Sequence, residues 1–70
     1  MELIKLTDSK ADKVAQYYNY TNAETFKTKQ GFKPSSKFNI KYEKGTDALW
    51  IVDSNDKGEN TTYTIPKHLK

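Results

Sequence analysis

The chain contains no cysteine and no arginine, and its 70 residues include only three glycines, two prolines and one tryptophan. Without cysteine, neither a disulfide nor a thiolate site can form. Arginine supplies the commonest bidentate contact to guanine, whereas lysine is a point charge that suits phosphates. If the chain binds nucleic acid, base recognition therefore falls to asparagine, glutamine, threonine or lysine.

Long apolar segments are also absent. The longest apolar run, Ala48–Val52, is far too short to span a bilayer, and the N-terminal residues lack the apolar core of a secretory signal. The single histidine, His68, has no histidine or cysteine partner for a metal, and no nucleophile–base pair or phosphate loop is visible. We therefore expect a cytoplasmic, non-enzymatic protein with no cofactor, no membrane contact and no small-molecule substrate.

The composition predicts one small domain over residues 1–70. Mean hydropathy is −0.96, which is polar for a globular protein, but nine aromatic residues are too many for a disordered tail. A chain of this length buries only about 60% of its unfolded surface. We expect a thin core and a free energy of unfolding of about 3–5 kcal/mol.

Positive charge is concentrated in one segment. Residues 27–44 hold six of the twelve lysines and one acid, Glu43, for a net +5, whereas residues 1–26 and 45–70 each carry −1. A basic patch attracts anions, most commonly nucleic acid or an acidic protein surface. The same lysines are also compatible with a solvated, aggregation-resistant face, since Lys37 and Lys41 fall on the polar side of an alternating strand.

Two helices are predicted in the first half of the chain. Ala11, Val14, Ala15 and Tyr18 recur at helical spacing within a helix over Lys10–Asn19, opened by Asp8 and Ser9. A second helix over Asn22–Gln30 follows a Thr21…Glu24 capping box. Gly31 is the expected left-handed residue after its end, and Pro34 blocks continuation.

Strands are predicted in the second half. Phe38, Ile40 and Tyr42 alternate with polar residues, Ala48–Val52 is typical of a central strand, and Thr61–Ile65 alternates again. The expected fold class is α+β, with two short helices followed by a three-stranded antiparallel meander. Residues 2–7 are compatible with an additional edge strand or a packed arm. The predicted core is Leu6, Val14, Ala15, Tyr18, Phe26, Phe32, Phe38, Ile40, Trp50, Tyr63 and Ile65.

The position of Trp50 depends on the loop of the first hairpin. A three-residue loop ending at Gly45 would place Trp50 opposite Phe38, in the core. A two-residue Lys44-Gly45 turn would place it outside, beside Lys41, on a surface suited to stacking bases or binding a protein. A single tryptophan in a small domain is usually buried, so we favour the core.

The segment from Val14 to Gly31 resembles the helix-turn-helix of excisionase-like and winged-helix DNA-binding proteins. Val14-Ala15 match the buried pair of the first helix, Asn19 takes the place of the usual turn glycine, and Gly31-Phe32-Lys33-Pro34 matches the end of the recognition helix. The resemblance covers residues 6–52 and implies that residues 37–52 form a β-hairpin wing. Thr25 stands where that family has a buried valine.

The resemblance implies a small DNA-binding regulator whose second helix lies in the major groove. Its expected base contacts are Asn22, Thr25 and Thr28. Its expected phosphate contacts are Lys27, Lys29, Lys33, Lys37, Lys41 and Lys44. The alternative is a small protein-binding module of phage or mobile-element type, whose basic patch and exposed aromatics meet an acidic partner surface.

Overall fold

The computed structural model describes residues 2–33 and 37–70. In chain order its elements are β1 (Leu3–Lys5), α1 (Asp8–Tyr17), α2 (Ala23–Lys29), β2 (Asn39–Glu43), β3 (Ala48–Val52), β4 (Gly58–Thr64) and a 3-10 turn (Lys67–Leu69). The four strands form one antiparallel sheet in the order β1-β2-β3-β4. The α+β class is confirmed, and the N-terminal segment adds a fourth, edge strand to the expected three.

Both helices begin at residues other than the predicted caps. The Thr7 hydroxyl accepts from the Lys10 amide at 3.2 Å, and the Asn22 side chain accepts from the Thr25 amide at 2.9 Å. The earlier start of α1 follows from β1, because the Leu6 amide still bonds the Ile40 carbonyl and the chain turns immediately afterwards. Ser9 and Thr21 are good capping types, but neither lies where the chain enters its helix.

The left-handed residues after both helices lie where the sequence predicts, but α1 ends at Tyr17, two residues before the predicted Asn19, and α2 ends at Lys29, one before the predicted Gln30. Asn19 (φ 69°) and Gly31 (φ 93°) adopt the left-handed conformation. The next residue along, Tyr20 or Phe32, donates its amide to a carbonyl five residues back at 2.9 or 3.0 Å, which is a Schellman motif. The rings of Tyr20 and Phe32 then pack against the core. Pro34, the predicted helix block, lies outside the described residues.

The loop between β2 and β3 differs from both predictions. Tyr42 pairs with Leu49 and Lys41 with Trp50, so the loop has four residues, 44–47. It can be this long because Gly45 (φ 104°) and Asp47 (φ 62°) both take the left-handed conformation. This register turns Trp50 away from the helices, and the prediction that it lies in the core is wrong.

The core lies between the helices and the inner face of the sheet. Of the predicted core residues, Leu6, Val14, Ala15, Phe26, Ile40 and Ile65 are buried, and Tyr18, Phe32, Phe38 and Tyr63 pack around them. Ala11, Leu49, Ile51 and Leu69 complete the cluster and were not predicted. Val52 is also fully buried, but it shares the outer face of β3 with Trp50 and lies outside this cluster.

Several aromatic side chains pack β4 against both helices. The Tyr63 ring lies 4.5 Å from Tyr18 and 5.4 Å from Phe26, measured between centroids. The Tyr63 and Tyr20 hydroxyls are 3.0 Å apart. This hydrogen bond raises the pKa of Tyr63 above its ordinary value of 10.0, because ionisation would remove the shared proton.

A short loop between β3 and β4 is closed by one carboxylate. The Asp53 side chain accepts from the amides of Asn55 at 2.8 Å and Lys57 at 3.0 Å. These two bonds lower the pKa of Asp53 below its ordinary value of 3.8. Gly58 follows at the start of β4, so close to β3 that a Cβ there would lie 1.9 Å from the Ile51 carbonyl oxygen.

Candidate functional site

Three exposed lysines lie where α2 ends and the chain returns to the sheet. Lys29 is in the last turn of α2, and Lys33 and Lys37 flank the connection to β2. The rings of Phe32 and Phe38 meet with their centroids 5.4 Å apart, which draws the two sides of this connection together. We call Lys29, Lys33 and Lys37 the basic cluster.

No carboxylate among the described residues pairs with the first two members of the basic cluster. Among the described residues, neither Lys29 nor Lys33 forms an ion pair. The only acid of the basic segment, Glu43, lies at the opposite end of β2 and accepts a hydrogen bond from the Thr46 hydroxyl at 2.9 Å. Lys29 and Lys33 therefore present a positive potential to solvent.

Lys27 is placed differently from its expected role as a phosphate contact. Its side chain is only 9% exposed, and its Nζ donates to the Phe38 carbonyl oxygen at 3.0 Å. Lys27 follows the buried Phe26, so its side chain runs along the core and connects α2 to the start of β2. Lys27 supports the cluster structurally instead of facing a ligand at the surface.

The remaining two lysines of the segment lie apart from the basic cluster. Lys41 is 17% exposed on the outer face of the sheet and forms an ion pair with Asp56. Lys44 is exposed in the loop after β2, seven residues of mostly extended chain from Lys37, or about 20 Å away. The six lysines of residues 27–44 are close in sequence, but they therefore do not form one surface patch.

The outward face of α2 is shallow and its polar groups are largely occupied. Asn22 Oδ1 accepts from the Thr25 amide at 2.9 Å and the Thr25 hydroxyl at 3.0 Å. The Thr28 hydroxyl donates to the Glu24 carbonyl at 2.9 Å. Asn22 and Thr25 are half-buried and Thr28 is exposed, beside a depression of about 250 Å³ that Lys29 also lines. Of the three expected base contacts, Thr28 is therefore the most accessible to a ligand.

A larger polar cleft, of about 620 Å³, lies at the other end of α2. Its charged lining consists of Asp8, Asp12 and Glu24 against Lys5 and Lys27. The α2 helix therefore has an excess of acid at its N-terminal end and the basic cluster at its C-terminal end. Sequence reasoning missed the cleft because its residues come from β1, both helices and β2. No group of three or more histidine, aspartate or glutamate side chains in residues 2–33 and 37–70 is arranged to hold a metal ion.

The comparisons with known proteins leave the geometry as the only guide to function. Among the described residues, neither helix has the length or the apolar character needed to cross a bilayer. The chain matches no protein-family model, no curated protein and no solved structure.

Proposed function

We propose that this protein binds DNA, with backbone phosphates held by the basic cluster and the C-terminal half of α2 beside the bases. The observation that carries the proposal is the exposure of Lys29, Lys33 and Lys37 at one end of α2, in a stretch of chain that contains no acid from residue 25 to residue 42. Lysine ammonium groups bind phosphate oxygens well, because a phosphate oxygen can pair with a point charge and does not require a planar donor.

The order of elements also supports a helix-turn-helix arrangement. A left-handed Asn19 joins α1 to α2, and the hairpin of β2 and β3 follows them in the chain. These two strands are the central strands of the sheet, so the expected projecting wing is not formed. The charge distribution limits how α2 could approach the DNA. The carboxylates of Asp8, Asp12 and Glu24 at its N-terminal end repel phosphates, so Thr28 and Lys29 approach the duplex more closely than Asn22 and Thr25.

Fluorescence anisotropy of a labelled mixed-sequence duplex tests the proposal. Three phosphate contacts predict a slope of about −2.7 for the logarithm of affinity against that of salt concentration, so raising salt from about 50 to about 200 mM lowers affinity about 40-fold. The double variant Lys29→Glu, Lys33→Glu should lose most of the low-salt affinity while retaining its circular dichroism spectrum. If the parent protein does not bind at low salt, the proposal is wrong.

A matched control separates local contacts from net charge. Lys13 on α1 and Lys67 in the 3-10 turn are both exposed and lie on other elements. The double variant Lys13→Glu, Lys67→Glu makes the same change in net charge and should weaken binding much less. Equal losses in the two double variants would show that the basic cluster is not the contact surface.

A protein-binding module is the second candidate function, and one side chain favours it. Tyr17 is 57% exposed, a large apolar surface that the fold leaves uncovered, and its ring rests edge-on against Tyr18 at 4.9 Å. Tyrosine is enriched at protein interfaces because it offers a large, stiff contact surface. Under this alternative, Tyr17→Ser would abolish binding to a purified acidic partner while leaving the affinity for duplex DNA unchanged.

A further inference from the structure

Four side chains form a row across the outer face of the sheet, at right angles to the strands. Lys5 on β1 pairs with Lys41 on β2, Lys41 with Trp50 on β3, and Trp50 with Asn60 on β4. Paired residues of antiparallel strands share a face, and the chain neighbour of Lys41, Ile40, points into the core. Lys41 and Trp50 therefore face away from the helices, whereas Lys5, on the edge strand, also borders the cleft at the N-terminal end of α2. We call Lys5, Lys41, Trp50 and Asn60 the cross-strand row.

The first two members of the cross-strand row carry like charges directly opposite each other. Such a pair destabilises a sheet unless an anion lies between or beside the charges. Asp56 partly compensates Lys41, whereas Lys5 is exposed and forms no ion pair with any residue that the structure describes. The pair is a point on this face where an additional anion would be favourable.

Trp50 lies next to this pair in an unusual environment. It is partly buried although it is outside the core cluster, and its Nε1 is enclosed without a hydrogen-bond partner in the described part of the chain. The Lys41 side chain starts beside Trp50 and reaches Asp56 in the loop after β3, so its methylene groups pass over the outer face of β3. Lys41 and its ion pair therefore lie on the same face of the sheet as Trp50.

We infer that the cross-strand row binds single-stranded nucleic acid. A backbone phosphate displaces Asp56 from Lys41 and lies between Lys41 and Lys5, while an unpaired base stacks on the exposed part of Trp50. Neighbouring strands are about 4.8 Å apart, which places a phosphate site, a stacking surface and the Asn60 amide in successive positions. A duplex does not fit this surface, because its base faces are already stacked on one another.

The charges around the cross-strand row are mixed, because Lys5 also borders the cleft that contains Asp8, Asp12 and Glu24. Around Lys41 and Trp50 the balance is more favourable to an anionic ligand. Glu43, the acid of β2 on this face, is turned towards the next loop by its bond with Thr46. Asp56 is the carboxylate that the phosphate must displace. The surface is separate from the basic cluster, so the inference does not depend on duplex binding.

Quenching of Trp50 fluorescence is the direct test, because the chain has only one tryptophan. Short oligothymidine and oligouridine should each be titrated at low and moderate salt. Stacking predicts strong quenching that weakens as salt rises, and a tighter response to one of the two identifies the preferred sugar. The Trp50→Phe variant, followed by anisotropy of a labelled strand, should bind at least about fivefold more weakly. Absence of quenching by both strands overturns the inference.

Two variants test the displacement of Asp56 by phosphate. Asp56→Asn removes the competing carboxylate and keeps a residue that tolerates the left-handed conformation of this position (φ 58°). It should bind single strands several-fold more tightly than the parent, whereas Lys41→Gln should bind several-fold more weakly. Asp47→Asn makes the same charge change at another left-handed, ion-paired aspartate, in the β2–β3 loop, and should alter affinity little. If Asp56→Asn binds no more tightly than Asp47→Asn, the displacement mechanism is wrong.

The closing comparison separates this inference from the proposed function. The Lys29→Glu, Lys33→Glu variant should lose duplex binding and still show quenching of Trp50 by single strands. If the same variant loses both activities, single strands are held by the basic cluster and the cross-strand row is not their site. Quenching without any duplex binding by the parent would sustain the inference and refute the proposed function.

Discussion

The two faces of one sheet are built from the same strands and have different roles. The inner face carries Ile40, Leu49 and Ile51, which are buried under the helices. The outer face carries Lys41, Trp50 and the buried Val52, and the described helices pack against the opposite face. Successive residues of a strand alternate between faces, so a chain of this size can build its core with one set while the other set stays outside that core.

The largest expected effect is on the inner face. Leu49 is fully buried, and Leu49→Ala should lower the free energy of unfolding by about 2–5 kcal/mol, which is comparable with the total stability of so small a domain. Leu3→Ala is the matched change on the outer face and should cost less than about 1 kcal/mol. Urea denaturation followed by circular dichroism measures both. Equal losses would remove the distinction between the faces.

The next effect concerns the close approach of β4 to β3. A Cβ on Gly58 would meet the Ile51 carbonyl at 1.9 Å, so Gly58→Ala must shift backbone and should lower stability by about 1–3 kcal/mol. Glu59→Ala, at the exposed neighbouring residue, should be nearly neutral. Thermal unfolding distinguishes the two variants. An unchanged midpoint for Gly58→Ala would mean that the strands can separate there at little cost.

Trp50→Phe should change stability by less than about 1 kcal/mol. The smaller ring loses some packing, but it also removes an enclosed N–H that has no partner among the described residues, and such a group costs about 1–3 kcal/mol to bury. The measurement is again urea denaturation. A loss as large as that of Leu49→Ala would show that the outer face is a second core.

The smallest effect appears only in acid. The hydrogen bonds of the β3–β4 loop hold the pKa of Asp53 below 3.8, so their contribution is fully present above that pH and is lost as the pH falls through the lowered pKa. Asp53→Asn, whose amide cannot titrate, should remove this part of the pH dependence. Denaturation curves at a series of pH values from neutral to strongly acid test it. Parallel pH profiles for parent and variant would contradict the assignment.

Local patterns in the sequence were sufficient to predict that both helices exist and where the left-handed residues after them lie. Helical spacing placed Val14 and Ala15 in the core, and the residue types at positions 19 and 31 identified both left-handed turns. The first residue of each helix was predicted less well, because several neighbouring residues can cap and only the preceding strand or turn decides among them.

The position of Trp50 could not be predicted in the same way. One residue more or less in a hairpin loop reverses the face of every following side chain, and Asp47 is not a residue type that reliably signals a left-handed turn. The contacts of Lys27 and Lys41 could not be predicted for a related reason. Burial against Phe38 and pairing with Asp56 are contacts between distant parts of the chain, which charge counts along the sequence do not contain.

Asp12 links the two helices, and this contact affects how the protein opens as well as how it is held together. Its Oδ1 accepts from the Ala23 amide at 2.9 Å, so a residue of α1 satisfies the first donor of α2. A helix of seven residues does not persist alone in water. Opening of α1 is therefore expected to expose the amide protons of α2 to solvent as well, so that α2 is protected from hydrogen exchange no better than α1.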